Sequence, residues 1–574
     1  MSTAASLASE PLAHTSQPQL DAAVTHLQDH KRAWAGLPIA ERIALLDELR
    51  ARLEQVSARW AGAAARAEGL PEGSHGAGEE WLVGPYMMQR NLRLLRQSLA
   101  EIARHGRPRI PGPVRTLADG QVTAQVFPHS IYDRALFPGV TAEVWMEPEV
   151  SREQLADTQA LAYQQPAEGA VALVLGAGNV SSIGPTDALY KFFVENRVVA
   201  YKMHPVNAYL GPLIEEAFAP LVARGFLRVV YGEAAEGEYL CSHPGVDEIH
   251  ITGSHHTVEA IAFGPGAEGQ QRKAERRPRL DKPISAELGN VSAVIVVPGA
   301  WSDVDVRYQA ENLVSSLANN AGFNCNATRL VIQQAGWYKR HRLLDEMRRL
   351  LGQVAPRSAY YPGAAERFER FAQAHPEAEQ FGRPDAGQLP WMLIPELSPD
   401  RPEDLCFHTE AFCGVFGETA LEASSAAEFL ERATDFVNEK VWGTLNVTLI
   451  VHPSSLRDQE TAAALERAVA RLRYGTVSIN HWAAVGFGLM TTPWGAFPGH
   501  DLYDVQSGIG VVHNTLMFSR PQKTVVRSLF EAWPKPPWFV SHRTALPLAK
   551  ALADFERRPT PLKLAGITWH GVRG

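Results

Sequence analysis

The stretch AVALVLGAGNVSSIGPTDALYKFFVENRVVAYK, residues 170–202, decides the fold. Its first six residues are continuously apolar, as a strand buried on both faces must be. GAGN follows as a glycine-containing turn. Pro185 then stands near the first turn of a helix that runs to about Glu195, where its missing N–H costs nothing. RVVAYK (197–202) is the next apolar strand. The rhythm continues with a helix over about 210–224, a strand at 227–231, a helix at about 235–243 and the strand DEIHIT (247–252), closed by Gly253 and Ser254. Strands alternating with helices predict a parallel sheet covered on both faces. Residues 268–282, EGQQRKAERRPRLDK, are charged and aperiodic and read as an exposed connection. A second α/β unit is expected from near Ile284, with SAVIVV (292–297), a helix at about 303–320, TRLVI (328–332) and a helix at 336–352.

Upstream, Leu20, Val24 and Leu27, then Ile43, Leu46, Leu49, Leu53 and Val56, recur at helical steps. A further helix is expected over roughly 79–102, with Arg90, Arg93, Arg96 and Arg104 as a solvated basic face. QVTAQVF (121–127) and VTAEVWM (140–146) alternate like strands and predict a protruding hairpin suited to subunit contact. The segment AWPKPPWF (532–539) predicts an extended tail packing its tryptophans on the body.

Composition narrows the function. The 574 residues are 45% hydrophobic and 21% charged, with 55 Lys and Arg against 63 Asp and Glu, a net charge of −8. A mildly acidic chain is a poor partner for phosphate backbones, so no nucleic-acid role is expected. Four cysteines in so long a chain make no disulfide framework and suggest reduced thiols and a cytoplasmic location. The first eighteen or so residues are small and polar, with no basic and apolar signal pattern, and are expected to fray. No apolar run reaches the roughly 18 residues of a membrane span.

Several residues could carry chemistry. Backbone amides at the turn after 170–175 suit a pyrophosphate, although the glycines at 176, 178 and 184 miss the strict dinucleotide spacing. Lys202 ends the strand beside which a cofactor ribose would lie. Cys325 sits among small and amide residues in NNAGFNCNATRLVI, with Glu287 in ISAELGN and Glu410 in HTEAFCG as candidate companions. A nucleophilic thiol needs such a polar niche and a base. Cys406 and Cys413 flank Glu410 but lack the paired partners of a zinc site, so no metal is expected.

Taken in order, these segments resemble the aldehyde dehydrogenase superfamily over roughly residues 20–515. The resemblance implies an α/β fold with a Rossmann-type cofactor domain, an α/β catalytic domain and a protruding β oligomerisation hairpin. It implies Cys325 as nucleophile, Glu287 as general base and Asn179 as oxyanion donor. It also implies Lys202, Gly178, Gly253, Ser254, Glu410 and Phe412 as contacts for NAD or NADP. The segments carrying these roles include GAGN (176–179), ITGS (251–254), AELGN (286–290), NNAGFNC (319–325) and TEAFCGV (409–415), while GTVSIN (475–480) and the glycine-containing PWGAFPGH (493–500) resemble the strand and loop near the family's C-terminal end. The implied division places N-terminal helices of the cofactor domain at 1–118, the hairpin at 119–148 and the NAD(P) domain at 149–282. The catalytic domain follows at 283–490 and a C-terminal return segment with an extended tail at 491–574.

Departures mark a divergent branch. Gly178 replaces the aromatic before the oxyanion asparagine. Asn290 and Val291 stand where the family has glycine and lysine, Cys413 and Gly414 replace Gly-Pro, and Pro205 replaces the acid that often follows the cofactor lysine. The implied reaction is NAD(P)-dependent oxidation of an aldehyde to a carboxylic acid through a cysteine thioester, by a homodimer or homotetramer. The alternatives are a coenzyme A-acylating enzyme or acyl-CoA reductase, and a catalytically silent binding or assembly member.

Overall fold

The computed structural model describes residues 13–165 and 168–574. Residues 1–12 of the stretch expected to fray lie outside the described residues, and Gln17 already opens the first helix, Gln17–Ala35.

Two sheets organise the chain. The smaller has six strands in the order Gly508–Ile509, Ile284–Leu288, Glu248–Gly253, Val171–Leu175, Val198–Lys202, Leu227–Val230. The last five are parallel, and Gly508–Ile509 pairs antiparallel at the edge. From Val171–Leu175 the chain steps outward through the next two strands. It then returns to the other side of its starting strand with Glu248–Gly253. A crevice therefore opens at the carboxyl ends of these two neighbours, where the strand order reverses.

These strands are apolar because both faces are covered. Leu45, Leu49, Leu53 and Trp60 of the helix Ile39–Ala67 and Phe192 and Phe193 of the helix Ile183–Phe193 join them in one core. Trp34 meets Phe192, Phe193 and Phe226 edge-on. Each such pair contributes about 1 kcal/mol beyond its buried area.

The larger sheet has eleven strands, running from Val114–Thr116 at one edge to Glu379–Phe381 at the other. Seven of them are parallel neighbours, in the order Pro521–Arg527, Thr476–Ile479, Asn446–Ile450, Ala293–Val296, Leu330–Gln334, Val415–Leu421, Trp391–Leu397.

Several expectations need correction. Ile284–Leu288, expected to open the second unit at 283, hydrogen-bonds to Glu248–Gly253 and belongs to the first sheet. The expected hairpin is Val122–Phe127 with Thr141–Met146. It does not stand apart, because Thr141–Met146 pairs with Pro521–Arg527 of the same chain. The edge expected to seek a partner is thus filled in cis, and Val122, Val126, Val144 and Met146 are buried. Residues 268–282 are not all irregular, since Gly266–Ala274 is a helix whose polar sequence hides its period. The expected helix at 79–102 starts earlier and contains a π-turn, Leu82–Tyr86, where Pro85 removes a helical N–H.

Arg90 is not solvated. It is fully buried and pairs with Asp133 at 3.1 Å and Glu556 at 2.7 Å. Its partners are remote in sequence, so local periodicity gave no sign of them. Glu556 belongs to the helix Ala545–Arg557, which with Pro561–Val572 makes the tail helical rather than extended. Trp538 packs on His481 and Trp482, whereas Trp533 is 70% exposed. Among the described residues no helix is long and apolar enough to cross a membrane.

Candidate active site

Asn179 follows the strand Val171–Leu175 at the switch-point crevice and is buried. Its Nδ2 donates to the carbonyl of Phe323 at 2.9 Å. Its own carbonyl accepts from Asn320 Nδ2 at 2.7 Å and from the Tyr360 hydroxyl at 3.0 Å. Asn179 is thereby tied across the cleft to the loop that carries Cys325. A Cβ at Gly178 would overlap the imidazole of His204. That ring explains why the family's aromatic is missing here: another element occupies its space.

The Cys325 loop is a reversal between the helix Asp303–Ala318 and the strand Leu330–Gln334. Asn320, Ala321 and Gly322 have φ of 51°, 53° and 81°. Glycine and asparagine tolerate this left-handed region, but for Ala321 it costs about 1 kcal/mol or more. Surrounding bonds hold the turn. The Asn320 N–H donates to Glu79 Oε2 at 3.1 Å. The buried Arg329 guanidinium donates to the carbonyls of Gly322 and Cys413, and to that of Val415 at 3.3 Å. It so joins the Cys325 loop to the Glu410 loop. Arg329→Met is expected to lose about 3 kcal/mol or more in chemical denaturation, because buried carbonyls of both loops lose this donor. Arg329→Lys should rescue only part of this, because an ammonium lacks the planar fork. A loss below about 1 kcal/mol would show the bracing role to be wrong.

Cys325 is held by its carbonyl, which accepts from Ser292 Oγ at 2.9 Å and Asn446 Nδ2 at 3.3 Å. Its thiol faces the carboxyls of Glu287 and Glu410 closely enough to feel their charge. Glu287 is 3% exposed and accepts from Trp494 Nε1 at 3.1 Å. Burial pushes the Glu287 carboxyl up to about 8, although the Trp494 bond pulls the other way. Burial, followed by the charges of Glu287 and Glu410, pushes the Cys325 thiol well above its ordinary range. The pair therefore holds its protons at neutral pH, and the thiol can pass its proton only to the fraction of Glu287 that is ionised.

Glu410 faces the same space. Burial raises its carboxyl to about 7 against the pull of Arg329 and Arg367. Its Oε1 is buried with no hydrogen-bond partner. A Cβ at Gly289 would overlap its carboxylate, so only glycine leaves room there. Arg367 fixes the loop by donating to the carbonyls of Ala411 and Phe412, both at 3.1 Å. The Phe412 ring packs on Tyr361 and Phe323.

The other candidates line the ends of the first sheet. Lys202 is 7% exposed, and burial depresses its ammonium while Glu236 and Glu233 partly restore it. Gly253 and Ser254 are exposed, and Ser254 caps the helix His255–Phe263 through a bond from Thr257 N–H at 3.3 Å. Cys325, Glu287, Asn179, Glu410 and Phe412 thus converge around one loop. Lys202 and Gly253 end strands of the crevice, and Gly178 and Ser254 follow such strands. Trp494, Arg329, Tyr360 and His204 went unnoticed in the sequence. Trp494 lay within a quoted segment, whereas Arg329 reads as an ordinary residue in TRLVI.

Two departures have physical reasons. Val291 is fully buried in the second core, where a lysine could not lie. Asn290 donates from Nδ2 to the carbonyl of Asn446 at 2.9 Å and so stitches two strand ends together.

Residues 146–355 match the aldehyde dehydrogenase family. The chain is similar to the N-succinylglutamate 5-semialdehyde dehydrogenase of Novosphingobium aromaticivorans, with 24% identity over 32% of this chain and 36% of that protein. It therefore spans about a third of the length of the curated relatives it matches. Its fold is similar to that of the NADP-dependent glyceraldehyde-3-phosphate dehydrogenase of Bacillus halodurans complexed with NADP, with TM-score 0.60 and 20% identity over 90% of this chain and 92% of that one. It is similar also to a Mycobacterium tuberculosis aldehyde dehydrogenase complexed with NAD+, with TM-score 0.59 and 18% identity over 90% and 91% of the two chains. Residues 146–355 thus carry the aldehyde dehydrogenase family match, and the two-sheet architecture is similar to that of solved aldehyde dehydrogenases over nine-tenths of the chain.

Proposed function

We propose that the protein oxidises an aldehyde to a carboxylic acid, with NAD(P) as hydride acceptor and a thioester on Cys325 as intermediate. The observation that carries this reading is that one loop brings Cys325 under the charge of Glu287 while Asn179 bonds to the Phe323 carbonyl two residues before it. The residues present suit the cofactor. The orphaned Glu410 Oε1 is an acceptor for a ribose hydroxyl, and Lys202 is a buried donor at the crevice. When bound, the nicotinamide supplies the hydride acceptor.

The chain's own residues do the rest. Cys325 Sγ bonds to the aldehyde carbon while its proton passes to the Glu287 carboxylate, and the carbonyl π pair moves onto oxygen. Asn179 Nδ2 uses one N–H on the Phe323 carbonyl and keeps the other for that oxyanion. One such donor contributes about 3 kcal/mol at the transition state. Hydride leaves the tetrahedral carbon, and the oxyanion lone pair restores the carbonyl as a thioester. Glu287 releases the thiol's proton to solvent and, ionised again, removes a proton from water; the hydroxide adds to the thioester carbon, and the acid departs as the C–S bond breaks, the sulfur leaving as a thiolate that recovers its proton from Glu287.

NAD is favoured over NADP. Glu233 and Glu236 lie within electrostatic reach of Lys202, and a 2′-phosphate would meet two carboxylates there for one ammonium. The expected kcat/KM preference is about tenfold or more. A panel of short, long, aliphatic and aromatic aldehydes, run with NAD and NADP and with and without coenzyme A, tests the whole reading. Cofactor reduction without coenzyme A supports it. Strict coenzyme A dependence would favour the acylating alternative, and silence across the panel the binding one. A cytoplasmic setting is proposed from four free cysteines. A homodimer or homotetramer is proposed through surfaces other than the hairpin edge, which the chain fills itself.

A further inference from the structure

We propose that His375, Asp404 and Cys406 form a binding site for a zinc-type divalent cation, separate from the Cys325 centre. Three different donor types converge there. His375 caps the end of the helix Ala364–Ala374. Asp404 caps the start of the short helix Leu405–His408, which carries Cys406. Their donor atoms all lie within 4.8 Å of one another, and no other group of three such side chains converges in this way among the described residues.

The distances are those of a coordination polyhedron. Cys406 Sγ lies 3.6 Å from His375 Nε2, and Nε2 lies 3.4 Å from Asp404 Oδ1. With zinc bonds of about 2.3 Å to sulfur and 2.0–2.1 Å to nitrogen or oxygen, tetrahedral edges are about 3.6 Å for S–N and 3.3–3.4 Å for N–O. A thiol and an imidazole 3.6 Å apart share a hydrogen bond without an ion, and the same spacing fits one ion between them once the thiol proton is displaced.

The surroundings suit the ion. Cys406 and His375 are 4% and 6% exposed, and the Asp404 side chain is 16% exposed, which leaves a fourth position open toward solvent. His375 Nδ1 lies 3.2 Å from Glu377 Oε1, an outer carboxylate that fixes the ring so that Nε2 presents its lone pair inward. Asp404 Oδ1 accepts the Cys406 main-chain N–H at 2.8 Å, which holds the carboxylate in place. Thiolate and carboxylate together neutralise a dication, and the sulfur selects zinc or cobalt over magnesium or calcium. The cysteine spacing alone hid this site, because the histidine stands 31 residues before Cys406.

The site has a structural consequence. The helix ending at His375 carries Arg367, which grips the carbonyls of Ala411 and Phe412. Cys406 lies one short helix ahead of Glu410. An ion here would pin both supports of the Glu410 loop without touching the reacting atoms.

Binding displaces the Cys406 thiol proton, so one proton is released per ion bound. The test uses the full-length protein, stripped with a chelator and titrated with cobalt(II) alone. The expected result is a thiolate-to-cobalt charge-transfer band that saturates at one equivalent, one proton released, and displacement by zinc. Cys406→Ala should abolish the band, and His375→Gln should weaken cobalt binding about a hundredfold. Cys413→Ala and Cys325→Ala should keep it. Circular dichroism checks that each variant is folded, and the wild-type titration stands without them. Absence of a saturable band in wild type, its survival in Cys406→Ala, or its loss in Cys325→Ala would each overturn the proposal.

Discussion

Cys325→Ala is expected to lower aldehyde-dependent NAD(P) reduction by at least about a thousandfold while leaving the fold intact. The size of the loss follows from the chemistry. An aldehyde, or its hydrate, gives up hydride only when negative charge builds on its oxygen, and in this cleft the sulfur creates that charge. Water is a poor substitute there, because Glu287 holds a proton up to about pH 8 and the niche is largely closed. The fold should be indifferent. The loop is held by the Cys325 carbonyl, through Ser292 and Asn446, and not by the sulfur. Removing one partly exposed sulfur atom should cost within about 1 kcal/mol. Two measurements check this: initial rates of cofactor reduction, and chemical denaturation. A variant retaining more than a tenth of wild-type turnover would remove the thiol from the mechanism.

The same residue shows where the sequence was informative. Cys325, Glu287 and Glu410 lie far apart in sequence, and nothing local connects them. They could be grouped only because their short surroundings occur in the order of a known family. The parallel strands were legible for a different reason: burial on both faces forces continuous apolar runs, as in Val171–Leu175 and Val198–Lys202. Registry between sheets was not legible. Ile284–Leu288 looks like the start of the second unit, yet it pairs with Glu248–Gly253, because strand partnership depends on contacts that no period records. Arg90 and Arg329 failed in the same way. Each looks like a solvated or ordinary cation, and each is buried by partners remote in sequence. Long-range polar satisfaction is the part of this fold that one-dimensional patterning misses.

Glu287→Gln is expected to separate the two halves of the reaction. Glutamine keeps the size of the side chain and an oxygen able to accept from Trp494 Nε1, so the site should keep its shape. It cannot take a proton from water. A rapid burst of about one reduced cofactor per chain should therefore survive, followed by steady turnover slowed by about 10²–10⁴-fold. The burst rate should also fall, but by less, because the thiol loses its neighbouring acceptor while its other surroundings persist. pH supplies an independent check. With its carboxyl raised to about 8, Glu287 is mostly protonated at pH 7 and becomes a base as pH rises. Steady turnover in the wild type should thus climb through an inflection near 8 when thioester hydrolysis limits, and this inflection should vanish in Glu287→Gln. Coenzyme A gives the last discrimination. If it were the natural acceptor, its addition would restore full steady turnover to the variant, since a thiol nucleophile needs far less help from a base than water does. A variant with unchanged steady rate in water would strip Glu287 of its role and leave the thioester without a route to acid.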